Sequence, residues 1–233
     1  MRTVLALLTL AAVSPAFAGD VSGEIPITTA SQQARMDSIA GQAALDRGDG
    51  PEANALFRAA VAADPQFTYA WYNLGIASFS TEEFANALKR GAAGNGSEGE
   101  KLLVQTNQRF LDNDFEAQLQ LAKQLVEKYP RSARAWIALA NVEANLTHFA
   151  EQRAALTKAQ ELDSRLATAA LAMANSYLFN EPRDFRQAEK YFRRATELEP
   201  GEDNYYWSLG DVYRATNQLE QAREYYERAT LLD

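Results

Sequence analysis

Few side chains in this 233-residue sequence have the type and spacing to do covalent chemistry. His148 is the only histidine, and there is no cysteine. A lone imidazole without thiolates cannot assemble a usual zinc site, and no serine or aspartate stands at a spacing that marks a nucleophilic triad. Flanked by Asn145 and Thr147 between two helical stretches, His148 reads as a turn residue. Gly94-x-Gly96-x-x-Gly99 has the form of a dinucleotide-binding loop. That motif requires a preceding strand to build its phosphate site, whereas here a helical pattern leads into it, so a connecting loop is the reading. Acidic pairs such as Glu82-Glu83 and Glu197/Glu199 read as solvated helix faces. The sequence therefore predicts no enzyme, no cofactor and no metal.

What recurs is a set of side chains suited to recognition. Asn107, Asn141 and Asn175 stand 34 residues apart, each one turn after an apolar residue: Leu103, Ile137 and Leu171. A carboxamide offers both a donor and an acceptor. A row of them could pair with the backbone of an extended polypeptide, with the aliphatics between serving as pockets for its side chains. A second reading stays open: asparagines copied by repeat duplication, beside aliphatics that only pack on neighbouring helices.

The elements that must position these residues are helices. Apolar residues make up 47% and charged residues 23%, enough for a sizeable core and too ordered a balance for general disorder. Ala, Leu, Glu, Gln and Arg dominate, and these are strong helix formers. One arrangement returns along the chain. Trp71-x-x-Leu74-Gly75 is followed by Ala87, and Trp136-x-x-Leu139-Ala140 by Ala159. Ala170-x-x-Met173-Ala174-x-x-Tyr177 is followed by Ala188-x-x-x-Phe192, Ala195 and Pro200. Tyr206-x-x-Leu209-Gly210-x-x-Tyr213 is followed by Ala222-x-x-x-Tyr226 and Ala229. Ala40-Gly41 with Ala53-x-x-x-Phe57, Ala60 and Pro65 is an earlier copy, and Leu102 through Phe115 and Leu125 to Pro130 a weaker one. Leu102 to Trp136 and Trp136 to Ala170 are both 34 residues, Ala170 to Tyr206 is 36, and Trp71 to Leu102 is 31. Small residues at the centres of paired helices permit close approach, and Trp, Tyr and Phe fill the wedges between units. Prolines end the second helices.

This pattern resembles the tetratricopeptide repeat (TPR) family, whose unit is 34 residues with W-x₂-L-G-x₂-Y…A-x₃-F…P. The resemblance covers about residues 34–233. It implies an all-α, right-handed α-solenoid of about six helix-turn-helix units, at about 34–67, 68–98, 99–132, 133–166, 167–202 and 203–233. It also implies a concave groove lined by the first helices. On the matching positions the partner-binding residues are Tyr72, Ile76, Leu103, Asn107, Arg134, Ile137, Asn141, Leu171, Asn175, Trp207, Asp211 and Arg214. Arg134 and Arg214 would add contacts to a carboxylate. Family members that grip a chain's C-terminal carboxylate use lysines where this chain has Leu103, Ile137, Leu171 and Trp207, so that ligand is not expected. Three departures from the pattern stand out. Gln118 and Gln152 replace the small residue of the second helix, Glu143 replaces Tyr, and the glycine-rich run makes about residues 90–100 the expected loose point or hinge.

Net charge is −8, a sign that repels nucleic acid. Met1-Arg2, the apolar run Val4–Val13 and Ala16-Phe17-Ala18 have the form of a signal peptide over 1–18, too short to span a bilayer. Residues 19–33, with Pro26 and several Ser and Thr, read as a flexible leader. The expectation is thus a periplasmic or secreted scaffold or adaptor, not membrane-spanning after cleavage. It would bind a protein or peptide partner in its groove, in cell-envelope assembly or secretion. The alternative is a structural or self-assembling subunit of an envelope complex that acts through its ends and convex face. Tyr225, Tyr226 and Leu231 near the end of the sequence mark either a pairing surface, homo-oligomeric through the last unit, or continuation into a longer protein. Signal cleavage predicts an exported chain beginning at Gly19 and lacking Arg2. Intact-mass measurement of the expressed protein checks this, and retention of Met1–Ala18 would remove the export assignment.

Overall fold

The computed structural model describes residues 23–232, so the expected signal segment and residues 19–22 of the leader lie outside it. Among the described residues there are twelve helices and no strand. They form six antiparallel pairs: α1 (Gln32–Arg47) with α2 (Gly50–Ala63), α3 (Thr68–Ile76) with α4 (Thr81–Ala92), and α5 (Glu98–Leu111) with α6 (Phe115–Lys128). The last three are α7 (Ala133–Asn145) with α8 (Phe149–Leu162), α9 (Ala167–Phe179) with α10 (Phe185–Leu198), and α11 (Asp203–Ala215) with α12 (Leu219–Thr230). Each helix packs mainly on its neighbours in sequence, as in an α-solenoid built from helix-turn-helix units.

Local sequence sets the helix ends. Side chains of Ser31, Asp49, Ser80, Ser97, Asp114 and Asp184 each accept a backbone N–H from the first turn that follows, satisfying donors that the helix cannot. Ser97 and Glu100 form a full capping box. The turn inside a unit reverses through a left-handed residue: Gly48 (φ 92°), Asn113 (57°), Thr147 (61°) and Asn217 (59°). The last three stand at equivalent places in their units, so the repeat copies its turn as well as its core.

Close approach of the paired helices depends on the small residues. A Cβ at Gly41 would lie 3.1 Å from the Phe57 ring, and one at Gly75 would lie 3.2 Å from that of Phe84. At Gly210 it would overlap the Tyr226 ring. Two units depart from this scheme. In α6, Gln118 occupies the small position and Ala122, one turn later, the place of Phe57 and Phe192; both are buried. In α8, Gln152 is likewise buried, but its Oε1 accepts from Ser176 Oγ at 2.8 Å. Residue 142, which stands where Ser176 would in the preceding unit, is valine, and the buried Gln118 Oε1 has no hydrogen-bond partner. Glu143, buried in α7, meets His148 Nδ1 at 2.8 Å. The lone histidine thus serves the turn between α7 and α8.

Two expectations need correction. Residues 23–31 are not a free leader, and α1 begins at Gln32, within the segment assigned to it. They form a strap over the connections between units. Arg131 N donates to Gly23 O (3.0 Å), Ser97 Oγ to Pro26 O (2.8 Å), Thr28 N to Glu100 Oε1 (3.0 Å) and Thr29 Oγ1 to Asp64 Oδ2 (2.5 Å). The strap escapes a reading by helical periodicity because its partners sit at helix starts and connections far away in sequence.

The glycine run is likewise no loose point. Asn95 N donates to Gln66 O (3.0 Å) and Gly96 N to Thr68 Oγ1 (3.0 Å), while Thr68 Oγ1 donates to Gly91 O (3.1 Å). A Cβ at Gly94 would stand 2.7 Å from Gln66 O, and one at Gly96 would collide with Thr68. Glycine is present here because the Thr68 side chain and the Gln66 carbonyl leave no room for a Cβ.

Replacing Gly210 by leucine forces α11 from α12 and is expected to lower stability by about 1–3 kcal/mol, read as a fall in thermal midpoint. Gln118→Met keeps the volume and removes the unpaired carbonyl, and is expected to raise stability by about 1 kcal/mol. Chemical denaturation of both variants checks the pair of opposite signs.

Candidate functional site

The first helix of each unit carries two small stripes spaced three and four residues apart, which lie on one face. On α3 this face holds Tyr69, Tyr72, Asn73 and Ile76, and on α7 it holds Arg134, Ile137, Ala138 and Asn141. Together with Leu103 of α5 and Thr168 and Ala172 of α9, these residues line a cavity of about 230 Å³. Its remaining wall is α1, through Gln42, Leu45 and Asp46. All lining residues come from first helices, so the cavity is the inner channel of the solenoid.

The solenoid curls far enough for α1 to meet α9. Bonds between units far apart in sequence hold that closure. Arg134 donates to both carboxylate oxygens of Asp46, at 2.7 and 2.5 Å. Tyr69 Oη donates to Gln42 Oε1 at 2.9 Å. The buried Tyr205 of α11 directs its hydroxyl to the carbonyls of Asp46 (3.2 Å) and Arg47 (3.4 Å), and Arg47 lies 3.8 Å from Glu202.

The chemistry of the channel is close to neutral. Burial pushes the Tyr72 phenol far above its ordinary range, Tyr69 adds to this, and Arg134 and Asn107 oppose it. Burial and Glu202 do the same to Tyr205, keeping its hydroxyl a donor. Burial works against the Arg134 guanidinium, yet its hydrogen bonds to Asp46 hold its pKa above the usual arginine value. What remains for a ligand is amides, phenols and aliphatic surface. Thr168, whose buried Oγ1 has no protein partner, is among the lining residues.

The twelve residues singled out in the sequence are distributed unevenly. Tyr72, Ile76, Leu103, Arg134, Ile137 and Asn141 share the cavity, with Leu103 almost fully buried at its floor. Asn107 lies next in the row, but its Nδ2 donates to Leu103 O at 3.1 Å within its own helix. Leu171 packs into the cores around α10 and α11, and Asn175 is half-buried outside the cavity lining. Trp207, Asp211 and Arg214 form a separate cluster with α12. The Trp207 ring lies 5.3 Å from that of Tyr226, and Asp211 accepts from Tyr226 Oη (2.9 Å) and Arg214 (3.1 Å).

Sequence reasoning missed Gln42, Leu45, Asp46, Tyr69, Asn73, Ala138, Thr168 and Ala172. Repeat register held a signal for some of them. Gln42 follows Gly41 as Asn141 follows Ala140, and Tyr69 and Thr168 stand two residues before Trp71 and Ala170, as Arg134 stands before Trp136.

Stacked α-hairpins around a channel of amides, phenols and aliphatics define a protein-interaction scaffold. The chain belongs to the tetratricopeptide repeat family, whose pattern matches residues 40–97 and 171–231, together just over half of the sequence. Solved structures share the fold at low identity. A tetratricopeptide repeat protein from Parabacteroides merdae is 17% identical, with 87% of this chain and 80% of that one covered and a TM-score of 0.52. MamA is 16% identical, with 86% and 91% covered and a TM-score of 0.50. PilF of Pseudomonas aeruginosa is 17% identical, with 83% and 88% covered and a TM-score of 0.49. No curated protein sequence matches the chain.

Proposed function

We propose that this chain is an exported scaffold that holds a segment of a polypeptide partner in the channel formed by its first helices, in the assembly of the cell envelope or in secretion. The observation that carries the binding reading is the convergence of Tyr72, Ile76, Ile137 and Asn141 on one cavity, beside the unpartnered Thr168 hydroxyl. An extended backbone suits this surface. Carboxamide and phenol groups can pair with its N–H and C=O groups, and Ile76, Leu103 and Ile137 receive alternate apolar side chains. With Arg134 committed to Asp46, the cavity has no free charge among its lining residues to select an acidic or basic segment.

The export assignment rests on the signal-like residues 1–18 and the absence of cysteine, which is compatible with an oxidising compartment. No described helix is long and apolar enough to cross a membrane.

A phage-displayed peptide library screened against the intact chain tests the binding reading. Enriched peptides are expected to carry apolar residues at alternate positions. The double substitution Asn141→Ala with Ile137→Ala is expected to weaken their binding at least tenfold, about 1.4 kcal/mol, while the thermal midpoint stays near that of the parent. Binding unchanged by that double substitution would move the site away from the channel.

A further inference from the structure

Asp46, Arg134, Gln42 and Tyr69 border two cavities at once. One is the inner channel; the other, of about 410 Å³, opens on the far side of the same four residues and is lined also by Ile27, Ile39 and Ala43. The outer cavity is a vestibule between the strap, α1 and α7. Its partition from the channel is built from two hydrogen-bonded pairs, Asp46–Arg134 and Gln42–Tyr69.

These pairs join the first unit to the second and fourth. The bond from Arg134 spans 88 residues of sequence, and Tyr205 adds one spanning 159. Stacking of adjacent units does not require any of these long-range bonds. Each hairpin already packs on the next, and α2 is tied to the following unit by Asn54 Nδ2 donating to Ala77 O at 2.9 Å. The first unit can therefore move with the pitch of the solenoid while its own helices stay folded, provided that the strap's bonds to Ser97, Glu100 and Arg131 shift or part with it. A small change of angle at each junction accumulates over the three junctions between α1 and α7.

We infer that the Asp46–Arg134 pair, backed by the Tyr205 hydroxyl, is a latch across the passage between the vestibule and the inner channel, and that it must part before anything passes from one into the other. The pair is half-buried, with side-chain exposures of 30% and 18%. Its interaction is stronger than that of a surface ion pair and yet open to solvent competition, as a reversible closure needs. Exchange between the two states is a shift between two arrangements of the same fold. The latch stands independently of what the channel binds.

Because the chain has no cysteine, a single introduced thiol reports access directly. Thr168→Cys places it at the channel wall, and Ala122→Cys places a control in the core between units. The probe is a small aromatic disulfide reagent, with the rate of labelling as readout. The Thr168 thiol is expected to react slowly in the otherwise unaltered chain and at least tenfold faster with Asp46→Asn plus Tyr205→Phe. The Ala122 thiol should stay protected in both backgrounds. Asp46→Asn alone, the milder change, is expected to give an intermediate rate at Thr168. No acceleration at Thr168, or an equal acceleration at Ala122, would overturn the latch, the first because access does not depend on it and the second because the variant has loosened everywhere.

Discussion

No hairpin in this chain can bury its apolar face by itself, so every unit requires the next. Within three of the hairpins the paired helices meet through an aromatic ring laid on a residue without a side chain, Phe57 on Gly41, Phe84 on Gly75 and Tyr226 on Gly210. Ring and glycine, or alanine at Ala140 and Ala174, keep the paired helices close, and that distance sets the wedge that a unit presents to its neighbour. Six wedges in sequence produce the curl, and the curl brings α1 round to α9. The channel is a product of this geometry. None of its lining residues is near all the others in sequence.

The same constraint explains where polarity is tolerated. A glutamine in place of the small residue is satisfied in α8 because the next unit supplies Ser176, and is left unpaired in α6 because the next unit supplies Val142. The neighbour decides the energetics of an otherwise identical departure. Arg153, buried beside Gln152, shows a fuller compensation. It donates to Ser176 Oγ and to the carbonyls of Ser176 and Asn180, and its guanidinium lies 4.2 Å above the Tyr177 ring. A buried charge is thus held by carbonyl dipoles and a π face in the absence of a carboxylate.

Much of the fold was legible in the sequence because a repeat states the same physics several times. Trp71, Trp136 and Tyr206 each announce the start of a unit, and Pro65, Pro130 and Pro200 each close one. Half of the residues singled out for the groove do share a cavity, since helical spacing alone puts Tyr72 beside Ile76 and Ile137 beside Asn141. The rest were obscured for two reasons. Asn107 and Leu171 are spent on their own helix and on the core, which periodicity cannot distinguish from a free face. Closure by Asp46 depends on the summed rotation of several units, a quantity that no local pattern contains. The strap was hidden in the same way: Gly23 and Pro26 offer only backbone carbonyls, and nothing in their own residue types points to Arg131 or Ser97.

An open array of repeats behaves as a chain of nearest neighbours, and its terminal units fray first. Here the strap fastens three successive junctions, and Tyr205 ties the last unit to the first. The terminal hairpin therefore cannot peel away without also breaking bonds to units four and six. The first and sixth units thereby become members of a loop. Melting is accordingly shared among the units and tends toward a single event, and the slow step of folding falls late, when both ends must find each other.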